Sequence, residues 1–514
     1  MRTSLLFRSL LAVILWLGTW LPADATHVLG GELSYTYING SASQYQVLAR
    51  IYTRDPNIGV PSQPTIQLIC ALNGCSATGP GSMSMQLNRV RPSSRRLGCA
   101  GTQLYLIGEY ETVVTLPPGQ WTLSTLLENR SFNNNLVGSS SNSIYLSAFL
   151  DNSNGPNNSS PRFNSFILPQ PLSAGQPYRY SFSAFEPDGD SLVYRAVQPM
   201  AAPQATSGQT CGFPIAYSTY QSGQFQDPGN GQLVAYPAGQ FSASFPILSF
   251  QAVNSVAVPQ YALNATNGEL LTAPVGQVGD YSVAVRIDEY RRLNGTWTLI
   301  GQVTRDIPYV VLNPGTNRNP TISSLQVTGA AAAQPVEQAV VVRPGQSVSL
   351  TLTATDPDAG QALQLSSDVA AVVPGASFQV QGPNQGVLTW QVPATLPLGR
   401  YTVAVTVADD NCPLNGFEVR TITFLVSNRI LATHGGRPQV LSAYPLPFHD
   451  RVQFKLPTAA AQTVTITDNL GRLVATLKSH PDGSVEWLPG TAVAAGTYFA
   501  RPVSGGYVCR LIRQ

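Results

Sequence analysis

Two loops of this chain gather acids around a proline: Glu186-Pro187-Asp188-Gly189-Asp190 and, further on, Asp356-Pro357-Asp358. Two later acid pairs, Asp288-Glu289 and Asp409-Asp410, follow alternating apolar stretches that read as strands. If each loop and its later pair close the same pole of a sandwich, carboxylates converge there. Converging carboxylates repel one another, and an oxygen-only ligand set suits Ca²⁺. The candidate cation ligands are therefore Glu186, Asp188, Asp190, Asp288 and Glu289 in one set, and Asp356, Asp358, Asp409 and Asp410 in the other. The spacing is not that of an EF-hand, because Gly189 is misplaced for that loop. Plain turn chemistry competes with the cation, since Asp and Gly after Pro are favoured in turns for local reasons.

Catalytic constellations are scarce. The four histidines are His27, His434, His449 and His480, so the span from Val28 to Thr433 has none. That removes Ser-His-Asp and Cys-His arrangements from most of the chain. Hydrolysis by two acids needs no histidine and ranks as the third functional reading. Exposed rings offer another chemistry. Tyr217, Tyr220, Phe225 and Tyr236 either form a sugar-binding platform or fold their segment onto its own domain. Arg291, Arg292 and Arg305 read as ordinary polar strand or turn residues with modest salt bridges. Among the six cysteines, Cys70, Cys75 and Cys99 are close enough for one bridge, with Cys99 joined to either of the other two. Cys211, Cys412 and Cys509 are scattered and lack the paired spacing of a zinc site. A net charge of +2 with thinly spread basic residues shows no nucleic-acid footprint.

An internal repeat positions the acid loops. Ala174-Gly175-Gln176-Pro177-Tyr178 leads a strand into Glu186-Pro187-Asp188, and Pro344-Gly345-Gln346-Ser347-Val348 does the same into Asp356-Pro357-Asp358. Downstream, Gly279-Asp280-Tyr281 matches Gly399-Arg400-Tyr401. Each copy reads as an immunoglobulin-like or cadherin-like sandwich, with Tyr281 and Tyr401 at the tyrosine corner and Leu270 and Trp390 in the core. The first copy carries an insertion from about Met200 to Pro259, which belongs at the surface. At the amino-terminal side, Tyr45, Val47, Ala49 and Ile51 alternate after an Asn39-Gly40-Ser41 turn, the pattern of a hairpin. With 44 Gly, 40 Pro and few charges, the composition predicts an all-β fold of tandem sandwiches plus a small C-terminal one. The predicted domains are residues 26–165, 166–313, 314–427 and 441–514, with a linker at 428–440.

The two ends address the protein. Arg2 and Arg8 precede an apolar run from Leu10 to Leu21, and Ala23-Asp24-Ala25 supplies a small-x-small cleavage site, so residues 1–25 read as a signal peptide. The run is shorter than the roughly 20 residues a spanning helix needs. The mature chain is therefore expected to start at Thr26 and to have no transmembrane segment. At the other end Val452, Phe454 and Leu456 alternate with Arg451, Gln453 and Lys455, a half-buried strand. The motif residues Tyr444, Pro445, Pro447, Phe448, Gly471, Arg472, Gly496 and Tyr498 surround it. This tail closely resembles the type A sorting domain of the type IX secretion system. The resemblance implies that the tail engages the type IX machinery and that the protein works outside the cell.

A second resemblance covers Thr26 to about Leu312. Thr26-His27-Val28-Leu29-Gly30-Gly31-Glu32-Leu33, Asn158-Ser159-Ser160-Pro161-Arg162-Phe163-Asn164, Glu186-Pro187-Asp188-Gly189-Asp190 and Ile287-Asp288-Glu289-Tyr290-Arg291 occur in that order. Together they resemble exported surface proteins of type IX secretion bacteria, many of them gliding-associated. The chain departs from that pattern where Glu128-Asn129-Arg130-Ser131-Phe132 replaces a cysteine-rich stretch, and where Leu446 replaces the usual Asn. The resemblance implies a surface role, adhesive or structural, without a reaction. Capture of a surface polysaccharide is the runner-up, and a surface protein or polysaccharide is the expected partner.

Overall fold

The computed structural model describes residues 28–54, 63–76, 78–96, 104–154, 157–166, 172–202, 211–312, 317–412, 415–428, 439–457, 461–468, 472–491, 493–503 and 507–514. Ala23, Ala25, Cys99 and Gly471 lie outside them. The chain divides into two compact units, residues 1–428 and 429–514.

The first unit begins with β1 (Val28–Tyr37), β2 (Gln44–Arg54), β3 (Thr65–Leu72), β4 (Met83–Arg96), β5 (Leu104–Thr115), β6 (Gln120–Leu127) and β7 (Ile144–Asp151). The first two form the expected hairpin, with Tyr37 opposite Tyr45. Alternation sends Leu33, Tyr35, Val47, Ala49 and Ile51 into the core, leaving the other face polar. The sheet order is β1-β2-β5-β4-β3-β6-β7.

A long hairpin, Gly279–Leu293 and Thr296–Leu312, then closes this sheet. Its second arm pairs with β7 through Gly301–Val303 and with β1 through Arg305 and Asp306. Where β1 crosses, a Cβ on Gly30 would lie 2.0 Å from the carbonyl oxygen of Asp306, so only glycine fits. The late strands of the first repeat are thus strands of the amino-terminal sheet, and no separate sheets meet at residues 165 and 166. The physical reason is edge satisfaction. The ends of β1 and β7 would otherwise stand unpaired, and a 17-residue arm is long enough to serve both.

The rest of the first repeat packs over this ring. Tyr178–Ser181, Glu269–Thr272 and Tyr261–Leu263 form a three-stranded sheet, with Leu270 fully buried. The insertion folds back onto the same core. Tyr220, Phe225 and Tyr236 are buried, Tyr217 is half-buried, and Tyr236 stacks on Phe250 with ring centroids 5.1 Å apart. These rings are packing residues and form no sugar platform. Cys75 bridges to Cys211 in the early part of the insertion, a sequence separation of 136. The expected local bridge from Cys99 to Cys75 therefore does not form. Cys70 is a buried free thiol, turned into the core by the alternation of β3.

Residues 317–428 build an immunoglobulin-like sandwich of two four-stranded sheets. One runs Thr321–Val327, Ser347–Thr355, Gln385–Gln391, Ala376–Val380; the other runs Val340–Val342, Phe417–Val426, Gly399–Ala408, Gln364–Ser366. Trp390 is buried between them, 4.9 Å from the Phe424 ring centroid. Tyr281 Oη donates to Gln277 O at 2.9 Å and Tyr401 Oη to Pro397 O at 2.8 Å, so both copies make the same corner.

The second unit is also all β. A five-stranded sheet (Gln439–Leu441, Tyr507–Arg513, Gly496–Pro502, Thr463–Asp468, Leu473–Lys478) accompanies a three-stranded one (Ala443–Tyr444, Val452–Lys455, Ser484–Trp487). Val452, Phe454 and Leu456 are buried with Phe448, Trp487 and Tyr498. Tyr498 repeats the corner, donating to Ala494 O at 2.5 Å. Tyr444, Pro445 and Pro447 are exposed beside buried Phe448, and Arg472 pairs with Asp468 at the surface.

A buried hydroxyl that loses its acceptor contact costs about 1 kcal/mol. Tyr281→Phe and Tyr401→Phe should each lower the urea stability of the first unit by about that amount, whereas exposed Tyr444→Phe leaves the midpoint of the second unit unchanged. Urea titration followed by tryptophan fluorescence checks both.

Candidate functional site

The first acid pole is assembled from three segments. The turn after Phe185 wraps around Glu186, whose carboxylate accepts the backbone N–H of Asp188 at 2.8 Å and of Asp190 at 2.6 Å. Gly189 makes the wrap with φ of +85°, a conformation that suits glycine. Asp188 accepts the N–H of Ser159 at 2.6 Å. Arg291 forks onto Asp190 at 2.8 and 2.6 Å and donates to Asn158 Oδ1 at 2.7 Å. Asn158 in turn donates to Glu289 Oε2 at 2.8 Å. Glu289 is fully buried and its Oε1 has no hydrogen-bond partner. Gly301, opposite it in register, leaves the space: a Cβ there would lie 2.0 Å from Glu289 Oε2.

The carboxylate oxygens of Glu186, Asp188 and Asp190 approach within 4.8 Å of one another. Burial pushes Glu186 up to about 8, and the charges of Asp190 and Asp188 add to the shift. Burial also raises Glu289 well above the usual carboxylate range, reinforced by Glu186 and Asp190. Asp288 does not belong to this pole. Successive residues of a strand face opposite sides, and Asp288 is held on the other face by Arg195 (2.6 Å), Arg286 (2.7 Å) and Gln302 (2.7 Å).

The second pole repeats the plan with different chemistry. Asp356 accepts the N–H of Asp358 at 2.7 Å, and Asp358 accepts the N–H of Arg318 at 2.7 Å. Asn317 donates to Asp409 Oδ2 at 2.9 Å. Asp409 is thus the counterpart of Glu289, and Asp356 the counterpart of Glu186. Burial raises both Asp356 and Asp409. Asp410 is exposed and accepts the N–H of Ala362 at 2.9 Å. Buried acceptors without partners remain here too: Asp356 Oδ2, Gln361 Oε1 and Asn415 Oδ1. Among the described residues, only the first pole brings three acids within 4.8 Å.

Sequence reasoning missed the third component of each pole. Asn158-Ser159-Ser160-Pro161 and Asn317-Arg318-Asn319-Pro320 share an Asn-x-x-Pro spacing, and in each the Asn binds the late-strand acid while the next N–H binds the loop Asp. That spacing was the available signal.

A second charged array also escaped notice. Arg305, Glu32, Arg50, Glu109 and Arg91 alternate in sign across the second hairpin arm, β1, β2, β5 and β4. Glu32 binds both Arg305 and Arg50, and Glu109 lies 2.9 Å from Arg50 and 3.0 Å from Arg91. Phe163 stacks on Arg305 at 4.1 Å and Phe166 on Arg50 at 3.7 Å. Arg305 is therefore a buried structural cation, and Arg291 is the cation of the acid pole. Neither is the ordinary surface arginine its sequence context suggested, because their partners lie 273 and 101 residues away. Arg292 does stay at the surface, donating to Gly295 O.

No protein family and no curated protein matches the chain by sequence. Among solved structures it is similar to the N-terminal four Ig domains of Dscam1 isoform 8.4 (12% identity, 94% of this chain and 99% of that one, TM-score 0.13). It is also similar to extracellular domains 3–5 of Drosophila OTK (11%, 69% and 97%, TM-score 0.13) and to murine CEACAM1b (16%, 50% and 95%, TM-score 0.13). Likenesses this slight assign no function, and the sandwich architecture rests on the sheets described above. Among the described residues no helix is long and apolar enough to cross a membrane.

Removing Glu32 leaves the buried Arg305 guanidinium without a carboxylate and Arg50 with Glu109 alone, and breaking a buried pair costs about 3–5 kcal/mol; Glu32→Ala should lower stability by about that much, read by chemical denaturation. The pH dependence follows from Glu186, raised from 4.5 to about 8 on folding. The folded state then binds the extra proton across that window. The corresponding stability is complete below the unfolded value and is lost as pH rises through the folded one. In chelator, the melting temperature should fall as pH is raised across that window, and Glu186→Gln should flatten the fall.

Proposed function

We propose that this is a non-catalytic, exported surface protein, adhesive or structural, whose acid poles bind Ca²⁺ and which leaves the cell by the type IX route. The observation that carries the non-catalytic part is the sealing of the acids. Glu186 is 2% exposed and Glu289 0%. An acid pair that substrate cannot touch cannot protonate a leaving group, which weighs against the hydrolase reading. The charged constellations of the first unit instead hold segments together.

Calcium fits the donor set at the first pole. Glu186, Asp188 and Asp190 offer hard oxygens within 4.8 Å of one another, and Glu289 contributes a buried oxygen that lacks a donor. Arg291 supplies one positive charge against these four acids. A divalent ion would offset most of the remainder and give the orphan oxygen a partner. At the second pole the orphan oxygens of Asp356, Gln361 and Asn415 are the corresponding acceptors, with Asp358, Asp409 and Asp410 already engaged by the chain itself. The type IX reading is supported by the sorting motif and by the compact, separate second unit.

Millimolar Ca²⁺ should raise the melting temperature, because a ligand that binds only the native state must stabilise it. Glu289→Gln should remove most of that rise, and equal melts in Ca²⁺ and chelator would reject the cation. Fractionation of cells expressing the full chain beside one lacking residues 441–514 tests the route. Loss of the truncated chain from the surface is expected, and unchanged surface display would sink the sorting assignment.

A further inference from the structure

A cleft of about 670 Å³ lies over the polar outer face of β1, β2 and β5, walled by Pro161–Phe163, Phe166 and, from the sandwich, Ala371 and Val372 of the short helix Val369–Val372. That volume falls in the range of ligand pockets, roughly 300–1,000 Å³. Its charged lining is almost fully paired. Glu32 and Arg50 bind each other, Glu109 takes Arg50 and Arg91, and Glu111 takes Arg91 and Gln46. Arg162 is the exception. It lines the cleft, is half-buried, and makes no ion pair or side-chain hydrogen bond with the described residues. Burial and the neighbouring Arg50 charge depress its pKa, so its guanidinium is held where it is electrostatically unfavourable.

An unpaired, half-buried guanidinium at the wall of a cleft is a receptor for a planar anion, because its fixed fork matches a carboxylate. The surroundings narrow the ligand further. β1, β2 and β5 are interior strands whose backbones are already paired on both sides. An extended peptide therefore cannot add to them as a strand. Recognition must come from side chains, and Ser34, Thr36, Gln46 and Glu111 supply hydroxyl, amide and carboxylate groups suited to sugar hydroxyls. Pro161 and half-buried Phe166 give apolar surface for a ring face. The geometry points to this cleft as a binding site for a uronic-acid-containing glycan, its carboxylate on Arg162 and its hydroxyls on the β1–β2–β5 face.

The site is separate from the acid pole, and its test is run in chelator so that cation bridging contributes nothing and its outcome is independent of the calcium reading. Trigalacturonate and its methyl ester are titrated calorimetrically into the mature chain. The acid should bind and the ester should bind at least about tenfold more weakly, the loss of a charge-assisted contact. Arg162→Gln should weaken the acid by a similar factor, and Arg162→Lys should restore part of it. Gln46→Ala, at an exposed position, should weaken binding with no change in melting temperature, which covers the case in which Arg162→Gln fails to fold. No binding of the acid, equal binding of acid and ester, or wild-type affinity in both Arg162→Gln and Gln46→Ala overturns the proposal. Equal competition by a triglutamate peptide overturns the assignment to a sugar.

Discussion

Glu32 lies between two buried guanidiniums, and the architecture of the first unit depends on that contact. Arg305 reaches it from the second arm of the long hairpin and Arg50 from β2. A buried pair of this kind adds little net stability over an apolar replacement, but breaking it leaves a bare charge. Its value here is register. Moving β1 by one residue against its neighbours would turn Glu32 into the apolar core and Leu33 onto the charged face. The ladder therefore admits one closure of the ring, in which Gly31 faces Asp306 and Glu32 faces Arg305.

The segment from Asn158 to Phe166 ties this ring to everything else. Asn158 and Ser159 serve the acid pole, and Ser160 bonds both the N–H and the carbonyl of Tyr35. Phe163 and Phe166 roof the ladder, and Asn164 donates to Thr402 O of the following sandwich at 2.7 Å. Arg162 finds no free acid in the ladder, where Arg50, Arg91 and Arg305 already hold them, and it lines the cleft unpaired. The unpaired cation is thus a consequence of how tightly its neighbours are committed.

Features fixed by local pattern were legible in the sequence. The β1–β2 hairpin, the alternation of Val452, Phe454 and Leu456, and the corners at Tyr281 and Tyr401 depend on spacings of a few residues. The acid loops were also visible, because Pro-Asp turns advertise themselves. Contacts between distant segments were not. Nothing near Arg305 in sequence announces Glu32, nothing near Cys75 announces Cys211, and the merging of the first repeat into the amino-terminal sheet depends on the length of one strand. Asp288 and Glu289 illustrate a finer limit. The sequence places both at the end of a strand, but only the register decides which of two adjacent acids faces the pole, and it is Glu289.

The two poles show how one methylene redistributes charge within the same plan. Glu186 is long enough for its two oxygens to cap two backbone N–H groups, whereas Asp356 caps one and leaves Oδ2 without a donor. The late-strand acids show the reverse. Asp409 sits against Gly416, Asn411 and Asn317 and is satisfied at both oxygens, whereas Glu289 reaches only Asn158 and leaves Oε1 bare. Each pole therefore keeps one unsatisfied carboxylate oxygen, at opposite members of the pair. The first pole adds Asp190 to that oxygen and has Arg291 as its counterion, while the second engages Asp358 with Arg318 at its rim. Among the described residues only the first pole crowds three acids within 4.8 Å, so a cation has more repulsion to relieve there, and it is there that Asn158, on the segment roofing the ladder, would feel its presence.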